Sequence, residues 1–228
     1  TAGLFPIVHL GRPWFPYWLF PYPNQRQLWP NFRSPLEWDV FAVTTYLTVS
    51  SIFFIVGLIP DAAVQRDAAK NRFHRLLGTL FSFGWRGANY QWKHYYGAYI
   101  YFAALATPLV LSVHSVVSWD FAMSQVPGWH STIFAPYFVA GAIFSGVALV
   151  INLLIIIRKG YRLEHIITAD HIEKLSKLVL LTSTIVGYSY LTEFFMAWYG
   201  PSNAERDIFL FRYFGHFWWA SWIMFTCN

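Results

Sequence analysis

A polytopic bundle of membrane-spanning α-helices is the fold class this sequence predicts, and three observations predict it. Charged residues make up 12% of the 228-residue chain, about half the roughly 25% of a soluble domain, while 56% are hydrophobic and the mean hydropathy is +0.38. Five apolar runs, at about 36–59, 94–117, 133–157, 175–198 and 208–228, are each long enough to cross a hydrocarbon core of roughly 30 Å, which takes about 20 helical residues. Aromatic residues reach 21%, a share suited to Trp and Tyr belts at both membrane interfaces. Only helices and closed barrels satisfy every backbone group in lipid. The runs are continuous rather than alternating, which points to helices.

Taken in order, the chain opens on TAGLFPIV, which reads as the close of an upstream span covering 1–10. The sequence is accordingly expected to be a piece of a larger chain, with at least one spanning helix before it. The stiff, aromatic-rich stretch PWFPYWLFPYP (13–23) follows. After the span 36–59 comes a basic connection, 60–93, whose apolar piece LLGTLFSFGW (76–85) is too short to cross and is expected to lie at the interface or re-enter. The span 94–117 contains Pro108, expected to kink it as membrane helices tolerate. The remaining spans are joined by loops at 118–132, around 158–174 and at 199–207. No repeat of 20–50 residues is visible. The single cysteine, Cys227, excludes an internal disulfide, a CxxC metal site and a cysteine-ligated iron–sulfur cluster within this chain.

Orientation follows from the basic residues. The connection 60–93 holds Arg66, Lys70, Arg72, Arg75, Arg86 and Lys93, and the turn 158–177 holds Arg158, Lys159, Arg162, Lys174 and Lys177, together eleven of the 16 Lys and Arg residues. By the positive-inside rule those two regions face the cytoplasm, and 1–35, 118–132 and 199–207 face outward. Arg12, Arg26 and Arg33 run against the rule but are outnumbered. The net charge of +5 is too thinly spread over apolar runs to suggest a nucleic-acid partner.

With the sides fixed, ionisable residues from separate segments collect in the outer half: His9, Asp39, His114, Asp120, Glu193 and His216, with Arg212 above His216. Glu193 is expected about 8 Å, and His216 about 12 Å, inside the outer ends of their helices. A charged group within a membrane helix costs at least about 2.5–3.5 kcal/mol on insertion scales, so each is a functional candidate. Structural readings stand beside the functional ones. Asp39 and Asp120 can meet water or a helix terminus at the interface, Arg12 can be an interfacial anchor, and His216 can be a hydrogen-bonded bundle residue. The stripe Thr44, Thr48 and Ser51 reads as helix–helix glue.

Quinol oxidation suits carboxylates and imidazoles ringed by aromatics. A quinol headgroup is a flat amphipathic ring entering from lipid, and its hydroxyls need acceptors that take protons as electrons leave. Two other classes stay open. A haem b cytochrome would need an axial histidine pair, for which His114 and His216 are the available couple, at unequal depth. A transporter, or a subunit that conducts protons, could use Glu193, Arg212 and His216, although no inverted repeat supports it.

Several motifs carry a family resemblance. HLGRPWF (9–15) and WPNFRSPLEWDVFA (29–42) resemble the NrfD/PsrC family of quinone-interacting membrane subunits. GLIPDAAVQRD (57–67), ATPLVLSVHSVVSWDFAMSQVPGWHSTIFAPYFVAGAIFSG (106–146) and TEFFMAWY (192–199) are similar to one branch, the ActC-type subunit of bacterial alternative complex III. The resemblance implies two four-helix bundles in a multi-pass protein of the bacterial inner membrane, with quinol, in the menaquinone class, bound near the periplasmic face. It implies no haem or iron–sulfur cluster in the chain itself. The implied partners are c-type cytochrome subunits, a periplasmic iron–sulfur subunit, a second NrfD-like membrane subunit and membrane lipid. By motif, His9, Asp39 and Asp120 become the catalytic residues lining the quinol pocket, with Arg12, His114, Trp14 and Trp119 as further binding residues. Glu193, His216 and Arg212 are candidates for a proton path.

Overall fold

A computed structural model describes residues 4–228, which form eight α-helices and two single-turn 3₁₀ segments, with no strand among the described residues. The helices are α1 (Leu4–His9), α2 (Pro35–Ala68), α3 (Arg72–Phe81), α4 (Asn89–Ala122), α5 (Phe134–Gly160), α6 (Ala169–Tyr199), α7 (Asn203–Phe214) and α8 (Trp218–Thr226); the 3₁₀ turns are Pro16–Leu19 and Pro30–Arg33. Four of these, α2, α4, α5 and α6, are long and apolar enough to cross a membrane. The upstream tail expected over 1–10 corresponds to α1, and its first three residues lie outside the described residues. Two compact units divide the chain, one ending at Val113 and the other beginning at His114, inside α4.

In the first unit, α2 starts with Pro35 in its first turn, where the missing N–H costs nothing and the ring presets φ. It runs through Pro60 to Ala68, nine residues beyond the span read from the sequence. The short apolar piece expected at 76–85 is a helix beginning four residues earlier. Asn71 starts it, its side chain accepting the Phe73 N–H at 3.0 Å, the expected satisfaction of an orphan donor in the first turn. Phe83 and Gly84, both at positive φ, end it. Helix α3 packs along α2 at the closest approach that backbones allow, because Gly78 faces Arg66: a Cβ there would lie 2.8 Å from the Arg66 Cα. Arg66 then reaches past Gly78, its Nη1 donating to Ser82 Oγ and to the Trp85 carbonyl, each at 3.1 Å.

In the second unit, α5 and α6 form the main packed pair around Ala140, Val186 and Tyr190, with Tyr137 against them. Their connection is tied by Arg158 Nε, which donates to the Ile167 carbonyl at 2.7 Å. Thr168 and His171 close a capping box at the start of α6.

The continuous helix expected over 208–228 is corrected by the structure: α7 stops at Phe214 and α8 begins at Trp218. The reason is local. Gly215 is extended, at φ −84° and ψ −158°, and a Cβ there would strike the Phe211 carbonyl oxygen. The carbonyls that end α7 lose their intrahelical donors and are met by α8 folding back. Ser221 Oγ donates to the Arg212 carbonyl at 3.0 Å, and Trp222 Nε1 donates to the Tyr213 carbonyl at 3.3 Å. His216, expected deep within a span, is therefore in the turn between two short helices.

Candidate functional site

The predicted residues fall in both units. In the first, Asp39 lies in the opening turns of α2, and His9, Arg12 and Trp14 lie in the segment that precedes it. Asp39 is fully buried and Glu37 is 1% exposed. Neither Glu37 carboxylate oxygen has a hydrogen-bond partner among the described residues. The first turns of a helix are the favourable end for carboxylates, since the backbone dipole presents its positive pole there. Trp38, between the two acids, donates its indole N–H to the Phe32 carbonyl at 2.8 Å and so ties the Pro30–Arg33 turn over the helix start. Helix α1 also packs on α2, and His9, its last residue, is exposed.

Arg12 has a structural partner. Its guanidinium carbon stands 5.8 Å from the Trp18 ring centroid, a cation–π distance, and Trp18 in turn stacks on Phe15 at 5.0 Å. The stiff aromatic stretch thus holds the cation by a ring face. Trp14 is 69% exposed and contacts Phe15 edge-on.

The second unit holds the other candidates. Helix α4 continues to Ala122, so Asp120 sits in its last turn rather than in a loop, and it is buried at 7% exposure. A carboxylate there lies at the negative end of the helix dipole and out of water, a doubly costly position for a charge. Of the two surroundings expected for Asp39 and Asp120, water or a helix terminus, the structure gives the terminus: Asp39 lies near the start of α2 and Asp120 in the last turn of α4, both buried. His114 is half-buried and Trp119 partly exposed on the same helix.

Glu193 and Arg212, 19 residues apart in sequence, are brought together: Arg212 Nη1 donates to Glu193 Oε2 at 3.4 Å, with both side chains mostly buried. The pair borders an aromatic cavity of about 400 Å³ whose walls include Phe121, Phe134, Tyr137 and Tyr190. Phe121, next to Asp120, lies 5.1 Å from the Trp129 ring and 5.4 Å from Phe138. The volume and lining suit a flat ring with one polar edge. His216 lies in the α7–α8 turn, its ring edge-on to Phe217.

The profile of the polysulphide reductase, NrfD family matches residues 1–227, nearly the whole chain. This protein belongs to the NrfD family. A putative dimethyl sulfoxide reductase membrane subunit from Halobacterium salinarum is similar, at 28% identity over 152 residues. That match covers 66% of this chain and 31% of the relative, so the chain corresponds to about a third of that protein's length.

For this NrfD-family chain, sequence reasoning overlooked Glu37 and the aromatic cavity. The signal for Glu37 was present, since the insertion cost that singled out Asp39 applies equally two residues earlier. The cavity had none, because its walls come from five helices, α4 to α8, and the connection between α4 and α5.

The Glu193–Arg212 pair supports a test of coupling. Arg212→Met leaves a mostly buried carboxylate unpaired and is expected to lower stability by about 2–3 kcal/mol, below the ~3–5 kcal/mol of a fully buried pair because both groups keep some exposure. Adding Glu193→Gln should restore most of the loss. Thermal unfolding of the four variants in detergent measures this, and additive losses would show that the two groups do not interact.

Proposed function

We propose that this NrfD-family chain is the quinol-binding and quinol-oxidising membrane subunit of an electron-transfer complex of the alternative complex III type, in the ActC branch. The observation that carries the reading is the pairing of family membership over residues 1–227 with two buried carboxylates, Asp39 and Asp120, at the ends of membrane helices. In this reading a quinol of the menaquinone class enters from lipid near the periplasmic face of the inner membrane. His9 and Asp39 hold one hydroxyl and accept its proton, while Asp120 serves the other hydroxyl or the proton exit. Trp14, Trp119 and His114 pack or orient the ring, and Arg12 fixes the lip through Trp18. Two electrons leave to a periplasmic iron–sulfur subunit and from there to c-type cytochrome subunits, with a second NrfD-like subunit alongside. The two protons leave outward, and Glu193, Arg212 and His216 offer groups for coupled proton translocation.

The Halobacterium relative favours a second reading, in which the same quinol chemistry feeds a reductase instead of cytochromes. Composition of the purified intact complex separates the two. The quinol assignment itself is tested by His9→Ala in that complex: quinol-dependent turnover should fall by about 10²-fold, the lower end for loss of a positioned base, while the set of assembled subunits stays the same. Undiminished turnover would remove His9 from the site.

A further inference from the structure

A second site lies at the other end of α2, away from Asp39. Between α2 and α3 runs a groove of about 730 Å³. Its two ends differ in chemistry. Phe54 and Leu58 line the end deeper along α2, and Lys70 and His74 line the end at the α2–α3 turn. Asp61 and Gln65 stand on the wall between them.

The walls are held before any ligand arrives. Gly78 lets the two backbones touch at Arg66, and Arg66 bonds Ser82 and the Trp85 carbonyl across the gap. Arg75 Nη2 donates to the Ala69 carbonyl at 3.2 Å and fastens the turn between the helices. Helix α3 has the pattern of an interfacial helix: Phe73, Leu76 and Leu80 are apolar and exposed, while Arg72, His74 and Arg75 are polar. A helix of that kind marks the depth at which hydrocarbon gives way to headgroups.

Length and charge choose the occupant. From Phe54 to Ala68, α2 rises about 21 Å, which matches half a hydrocarbon core, about 15 Å, plus one headgroup layer of about 5–7 Å. The connection 60–93 carries Arg66, Lys70, Arg72, Arg75, Arg86 and Lys93 against only Asp61 and Asp67. Asp67 is engaged by Arg66 at 2.8 Å. Asp61, nine residues before Lys70 and so about 13 Å deeper along the helix, repels an anion from the groove's middle and leaves the basic end for it.

We propose that the α2–α3 groove binds one anionic phospholipid, its acyl chain along Phe54 and Leu58 and its phosphate at Lys70 and His74. The lipid would brace the α2–α3 corner at the membrane surface, independently of the quinol chemistry.

Native mass spectrometry of the intact complex, titrated with dioleoyl phosphatidylglycerol or with dioleoyl phosphatidylcholine, tests this. The first phosphatidylglycerol is expected to bind at least about 5-fold more tightly than phosphatidylcholine, the sense expected where basic side chains meet an anionic headgroup. Lys70→Glu with His74→Glu, both exposed positions, should erase the preference, whereas Lys159→Glu in the other basic turn should keep it. Leu58→Trp, which fills the apolar end, should weaken both lipids. Equal affinity for the two lipids in the unaltered protein, or a preference that survives the double substitution, overturns the proposal. So does a photocrosslink from a probe at position 58 to a partner polypeptide with no lipid adduct, which would assign the groove to a protein helix.

Discussion

Asp39→Asn is expected to lower quinol-dependent electron transfer in the assembled complex by about 10²- to 10⁴-fold, the range for removing a positioned general base. Asparagine keeps the size and one acceptor oxygen of the side chain but cannot take a proton. The site should therefore still admit quinol, and kcat should suffer far more than KM. Packing should survive, because Asp39 lies within a 34-residue helix whose start is secured by Pro35 and the Trp38–Phe32 bond. With a carboxylate base the rate of the unaltered complex declines as acid protonates it, and the variant's residual rate should lose that acid limb. Stopped-flow reduction of the acceptor by a soluble quinol analogue across the acid range gives both readings. An assembled Asp39→Asn complex that turns over at the original rate would show that the proton goes elsewhere, and Glu37, equally buried one half-turn away, would be next to examine.

Gly78→Ala is expected to separate α3 from α2. The new methyl would lie 2.8 Å from both Cα and Cβ of Arg66 and 2.9 Å from its N, and none of these atoms can rotate aside. Only movement of α3 relieves the overlap, and such overpacking costs about 1–3 kcal/mol. That movement also strains the bonds from Arg66 to Ser82 and Trp85, so the loss should reach the upper part of the range. A lower Tm in detergent and faster proteolysis between 69 and 88 are the measurements. The control is Gly146→Ala in α5, where a Cβ meets nothing within 4 Å; there the better helix propensity of alanine should leave stability equal or slightly raised. Equal effects at the two glycines would mean that the close approach contributes nothing to stability.

The all-helical membrane class was legible because hydrophobicity over about 20 residues is a property of a contiguous segment. The cores of α2, α4, α5 and α6 could be read that way. Their ends could not, since α2 and α4 run on past the apolar stretch through polar residues that keep helical bonds in water. The run 208–228 misled for the opposite reason: its apolarity is continuous, but Gly215 interrupts the backbone and two short helices result. His216 moved with it, from mid-span to a turn.

Sequence by itself determined the membrane class, the cores of the four long helices, the concentration of positive charge in two connections and the motifs that place the chain in the NrfD family. These depend on neighbours along the chain. Tertiary structure decided that Glu37 is as buried as Asp39, that Arg12 rests on Trp18, that Glu193 meets Arg212, and that Gly78 admits α3 against α2. Each depends on where the folded backbone carries a side chain, by helix packing or, for Arg12, by the local turn at Pro16–Leu19, and neither leaves a periodic trace in the order of residues.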